Sequence, residues 1–289
     1  MKNITFSGPP LFPREGVGGE FRSAGASREF LGKAGAAGAE RDSYLRAGDL
    51  LRHNATLAGG VKFAVLPQAP QTRLRAEVPL DEEVDVGRRV RQACAGFKAA
   101  ASAVAGSTHI APAAHHLASS ADAADDGGAA VDLRCLCSAT QWPFIERDAT
   151  TVAVDLEVPG GFRQAMVEAT DSGGVVASVG LATCAELASP PCQAAWGLLL
   201  LRACGVVRMA RAAMHAGDGG ALTSRFEVVF ADAPAPAELA HAFATLSVAC
   251  RLVDREAGVL THDAAVATEY LRRWNTSEAQ QSNQPTAEY

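Results

Sequence analysis

The sequence predicts an α+β protein made of two similar units, each an antiparallel sheet flanked by helices. Three observations carry that expectation. Short stretches alternate apolar and polar residues, longer ones repeat apolar residues every three or four positions, and one helix-then-strand plan recurs about 150 residues along the chain.

With 289 residues, 48% of them hydrophobic, the chain can bury a sizeable core, and its length favours two domains over one. Residues 1–40 are rich in Gly, Ala, Ser and Pro and are expected to form a flexible N-terminal arm. A first, shorter unit then spans 41–108. The stretch 109–130, low in large apolar residues and containing DDGG, is expected to be a linker. A second unit spans 131–275, and the polar, Gln-rich residues 276–289 are expected to be a disordered tail.

The first unit opens with a helix-like stretch, SYLRAGDLLRHN, from Ser43. GVKFAVLP follows, with Val61, Phe63 and Val65 on one face. RLRAEVPL places Leu74, Ala76, Val78 and Leu80 together in the same way, so that the pair reads as a hairpin joined by QAPQT. Val86, Val90, Ala93, Phe97, Ala101 and Val104 then recur at helical spacing behind an acidic start, the end of the helix dipole that favours negative charge.

In the second unit VDLRCLC, TTVAVDLEV, RQAMVEAT and GVVASVGLA read as four antiparallel strands separated by turn residues. A long apolar helix over 192–214 follows, opened by Ser189, Pro190 and Pro191. RFEVVFAD reads as a strand. Leu239, Ala242, Phe243, Leu246, Ala249 and Val253 then form a helical stripe, and HDAAVATEYLRRW is a last helix.

The recurring plan is carried by DLLRHN at 49–54 and LLLRAC at 199–204. An offset of 150 places Leu51-Arg52 on Leu201-Arg202, and an offset of 152 places Arg73 on Arg225. A two-residue gap reconciles the two offsets.

Several function classes are excluded on chemical grounds. The net charge is −6 with scattered arginines and 6% aromatics, which does not suit nucleic acid. The most apolar window, 194–214, is interrupted by Arg202, Arg208 and Arg211, so no membrane segment is expected. Seven cysteines spread through apolar segments fit buried thiols in a reducing, cytoplasmic setting. Cys135 and Cys137 on one strand face offer half a metal site, but no second pair completes it. There is no phosphate loop, no Gly-x-Ser-x-Gly turn around Ser178, and no His with a partner at catalytic spacing. No catalytic residue, metal site or cofactor is therefore expected.

The stretches from VAVDLEVPGGFRQAMVEATDSGGVVASVGLA through LLLLRACGVVRMARAAM to SRFEVVFADAPAPAELAHAFATLSVACRLVDRE resemble the bacterial type III secretion chaperone and YbjN-type fold. The resemblance covers residues 131–275 and, more weakly, 43–105. It implies a twisted antiparallel sheet flanked by helices and a non-enzymatic role, with apolar grooves or sheet edges holding an extended segment of a client protein. Such chaperones are dimers of one short unit, so two tandem units would make an intramolecular pseudo-dimer or add a further homodimer.

The candidate partner-binding positions are Trp196, Leu199, Val206, Met209, Phe226 and Phe243, apolar residues of the long helix and the elements after it. A peptide or protein client is the expected partner. The alternative is a tandem hot-dog-type acyl thioesterase, which needs a carboxylate near the start of the central helix, a place only Glu186 fills.

Overall fold

In a computed structural model, residues 2–7, 47–57, 60–66, 69–80, 90–91, 93–97, 100, 131–183, 186–217 and 221–282 are described. The fold is α+β. The strands are β1 (Lys2–Ser7), β2 (Val61–Leu66), β3 (Ala69–Leu80), β4 (Phe144–Glu146), β5 (Thr151–Val158), β6 (Gly161–Ala169), β7 (Val175–Thr183), β8 (Arg211–Ala216) and β9 (Leu222–Phe230). The helices are α1 (47–54), α2 (residues 90–91, 93–97 and 100), α3 (Leu133–Ala139), α4 (Pro190–Val206), α5 (Pro236–Leu260) and α6 (Ala264–Ser282). The expected linker 109–130 and most of the expected arm lie outside the described residues.

Two antiparallel sheets result. One has the order β1-β3-β2, the other β4-β5-β6-β7-β9-β8. Helix α5 lays its stripe of Leu239, Ala242, Phe243, Leu246, Ala249 and Val253, all fully buried, across β5, β7 and β9. Pro236 occupies its first turn, and Glu238 accepts the Ala235 N–H at 2.9 Å, satisfying one donor that the helix start leaves unpaired.

Helix α4 is apolar on nearly all sides because it is surrounded. It packs on β2, β8, α5 and α6, and its Leu198, Leu199, Leu200 and Leu201 are all buried. Ser189 caps it, accepting the Cys192 N–H, ahead of Pro190 and Pro191. Helix α1 crosses α4 so closely that a Cβ on Gly197 would lie 3.1 Å from the Ala47 Cβ. Buried residues of 41–108 and 131–275 thus meet in one core cluster.

Five expectations change. QAPQT is not all loop: β3 begins at Ala69, so residues 69–72 extend that strand and Ala69 pairs with Leu66 of β2. VDLRCLC is not a strand: Asp132 caps α3 by accepting the Cys135 N–H, and the helix buries Leu133 and Cys137 while exposing Cys135. The Leu133, Leu136, Cys137 spacing is helical, so Cys135 and Cys137 do not share a strand face. The apolar helix stops at Val206, and Arg211–Ala216 is strand β8, paired with β9. Its first four residues are all buried, which removes the alternation that would have marked a strand. Within the expected arm, Lys2–Ser7 pairs with β3. Helix α6 continues through residues expected in the tail, as far as Ser282.

Candidate functional site: a buried polar seam between two hairpins

The predicted partner-binding residues fall inside the protein. Trp196, Leu199, Met209, Phe226 and Phe243 are buried, and only Val206, 54% exposed, reaches the surface. Trp196 is a satisfied core residue whose indole N–H donates to Ser224 Oγ at 3.0 Å, while Ser224 in turn donates to the Ala182 carbonyl. Phe243 packs edge-on against Trp142 at 5.5 Å. Glu186, which the thioesterase alternative requires, is exposed and accepts the Thr183 N–H at 2.7 Å.

The chemistry instead gathers where the β2–β3 and β8–β9 hairpins meet. Lys62 of β2 is buried, yet its ammonium has a partner for each proton. It lies 2.9 Å from Glu77 Oε2 and donates to the Val207 carbonyl at 2.6 Å and the Ala210 carbonyl at 3.0 Å. Glu77 also accepts the Met209 N–H at 2.6 Å and lies 3.0 Å from Arg75, which donates to the Gly205 carbonyl. Burial lowers the Lys62 pKa from its ordinary value, and Glu77 opposes the shift.

The β8–β9 hairpin returns the contact. Arg211 lies 2.8 Å from Glu227 and donates to the Leu57 carbonyl at 2.5 Å and the Val61 carbonyl at 3.3 Å. Arg225 pairs with Glu227 at 3.0 Å and also donates to His215 Nδ1. Arginine can only donate, so Nδ1 accepts and Nε2–H of His215 is left to donate to Glu227, 3.0 Å away. Desolvation would raise the Glu227 pKa, but Arg211, His215 and Arg225 together outweigh it and hold the carboxyl at about 2.

Two side chains at the ends of the helices complete the seam. Asn54 accepts the Phe63 N–H at 2.6 Å and donates to the Ala212 carbonyl at 2.8 Å, joining the strands of both hairpins. Cys204 accepts the Ala212 N–H through sulfur at 2.9 Å. Burial raises its pKa, with Lys62 acting in the opposite sense. The turns before β2 and β8 carry Gly60 at φ +43° and Met209 at φ +63°. At Gly60 a Cβ would sit 2.1 Å from the Glu77 carbonyl oxygen, so only glycine fits.

Sequence reasoning missed these residues, although a signal was present. Arg75-Ala76-Glu77 and Arg225-Phe226-Glu227 are 150 residues apart, the spacing of Leu51-Arg52 and Leu201-Arg202. The offset of 152 set Arg73 opposite Arg225, whereas Arg75 is the residue whose role Arg225 shares.

The seam joins the β2–β3 and β8–β9 hairpins through hydrogen bonds and ion pairs. Its bonds run to main chain, to oppositely charged partners and, at His215, to a neutral imidazole between Arg225 and Glu227. Among the described residues no group of three or more His, Cys, Asp and Glu side chains could hold a metal, and no helix is long and apolar enough to cross a membrane. No family model, curated protein or solved structure matches the chain.

Proposed function

We propose that this chain is a non-enzymatic peptide- or protein-binding, chaperone-like protein in which two tandem units of the secretion-chaperone and YbjN type form an intramolecular pseudo-dimer. Its architecture is supported by the order α1-β2-β3-α2, which recurs as α4-β8-β9-α5. Reciprocity supports it further: Lys62 bonds the loop before β8, and Arg211 bonds Leu57 in the loop before β2 and Val61 at the start of β2. A closed two-fold interface has that property, since each half gives what it receives. Ala47 against Gly197, residues 150 apart, is the self-contact expected beside such an axis.

The observation that carries the binding role is a set of exposed large apolar residues on the second unit. Val248 and Leu252, one turn apart on α5, and Val259 further along it stand exposed, and Phe162, the second residue of β6, is 74% exposed. Exposed large apolar side chains one helical turn apart, as at Val248 and Leu252, favour association with apolar partner segments. Strand β4, with Ile145 exposed, leaves a sheet edge to which an extended segment can add by main-chain hydrogen bonds.

An array of immobilised 15-residue peptides tests the proposal. The intact chain is expected to bind apolar, extended sequences, and the exposed-face variant Val248→Asp/Leu252→Asp should lose at least about tenfold in affinity at unchanged Tm. Absence of binding, or binding indifferent to this variant and to Ile145→Asp, would sink it.

A further inference from the structure

The two sheets differ in how their matching strands are attached. Strand β7 pairs with β9, and β1 pairs with β3, so both flank the second strand of a hairpin. Six residues (184–189) connect β7 to α4, while 39 residues (8–46) separate β1 from the described start of α1. Strand β7 is held from both sides, by β6 and β9, whereas among the described residues β1 is the outer strand of its sheet, paired with β3.

We propose that β1 is a built-in stand-in for a client strand. An extended segment with apolar residues at alternate positions displaces it and pairs antiparallel with Arg75–Leu80 of β3, a second binding edge beyond the surface of the second unit. The register defines what fits: Ile4 stands opposite Val78 and Phe6 opposite Ala76, so the client carries apolar residues at those two places. Thr5, opposite Glu77, marks the alternate face, where a polar residue fits. Affinity comes from main-chain hydrogen bonds along six residues, and β1 lowers it by competing from the same chain. This rests on the peptide-binding role proposed above but uses a different edge.

The probe is a fluorescein-labelled peptide KNITFS, read by anisotropy against the intact chain, the chain lacking residues 2–7, and the full-length variant Ile4→Asp/Phe6→Asp. Both altered chains are expected to bind at least tenfold more tightly than the intact one. Equal affinity in all three, or no binding by an altered chain with native circular dichroism, overturns the proposal. If neither altered chain folds, refolding with the peptide in trans decides it: recovery of the native signal supports the stand-in role, and failure to recover refutes it. A dimer of the intact chain that is lost on removing residues 2–7 would assign the edge to a second copy and also overturn it. The two readings separate cleanly. Array peptides that bind all three chains alike, with KNITFS binding none, leave the α5 surface standing and remove β1's role, and the reverse pattern does the opposite.

Discussion

The β2–β3 and β8–β9 hairpins solve the same problem with different cations. Each carries Arg-x-Glu on its second strand, and each sends a cation from its first strand to carbonyls at the other's entry loop. Lys62 does this as a compact charge whose three protons reach three oxygens. Arg211 does it as a planar fork, with Nε toward Glu227 and Nη1 toward two carbonyls. The second hairpin adds His215, which closes a ring with Arg225 and Glu227. The difference teaches that one carboxylate per hairpin is the common requirement, while the cation beside it can vary in shape.

The largest effect is expected from breaking the lysine hairpin. Glu77→Ala leaves Lys62 buried without its counter-ion and the Met209 N–H without its acceptor, which should cost about 3–5 kcal/mol. Urea unfolding measures it. The apolar double replacement Lys62→Met/Glu77→Leu should recover most of that loss, since the desolvation cost of both charges goes with them. A single Glu77→Ala change costing under about 1 kcal/mol would show that the pair contributes little.

A pH titration sharpens the comparison at the arginine hairpin. The folded-state pKa of Glu227 is depressed to about 2, so its contribution is present above the ordinary glutamate value near 4.5 and is lost as pH falls toward 2. That contribution is roughly 3 kcal/mol. Stability measured at stepwise lower pH should therefore decline through this window, and Glu227→Gln should flatten the decline. An unchanged acid limb in that variant would mean that other carboxylates govern it.

The smallest effect separates the two helices that carry the recurring Leu-Arg pair. Arg52 is half-exposed and pairs with Asp49 one turn away. Arg202 instead donates to the Tyr270 hydroxyl at 2.6 Å and stacks over the rings of Tyr270 and Trp274 at 5.7 and 5.4 Å. Arg202→Ala should cost about 1–2 kcal/mol in thermal or urea unfolding, and Arg52→Ala less than about 0.5. Equal losses would mean that the stacked position adds nothing.

Much of the fold was legible because periodicity is a local property. The α5 stripe of six apolar residues is buried as its spacing predicts, and β2, β3, β5, β6, β7 and β9 fall on the alternating stretches. Where the period failed, the cause was local too. VDLRCLC fits a short strand through Leu133, Cys135 and Cys137 as well as a helix through Leu133, Leu136 and Cys137, and β8 hides both its faces, leaving Arg211, Ala212, Ala213 and Met214 without alternation. The candidate surface was not legible. Composition marks Trp196 and Phe243 as apolar but cannot say whether they face the core or a partner, and both turn inward.

By itself, then, the sequence determined most of the stretches that become helices and strands, and it held a 150-residue echo in Leu-Arg and Arg-x-Glu. Only the tertiary structure decided that Lys62 and Arg211 are interior residues, because their partners lie 145 and 154 positions away, at Val207 and Leu57. A charge enters a core only where carbonyls and carboxylates converge to replace its water, and that convergence arises from packing between distant segments. Local pattern shapes the elements, and the long-range polar seam sets how the two hairpins face one another.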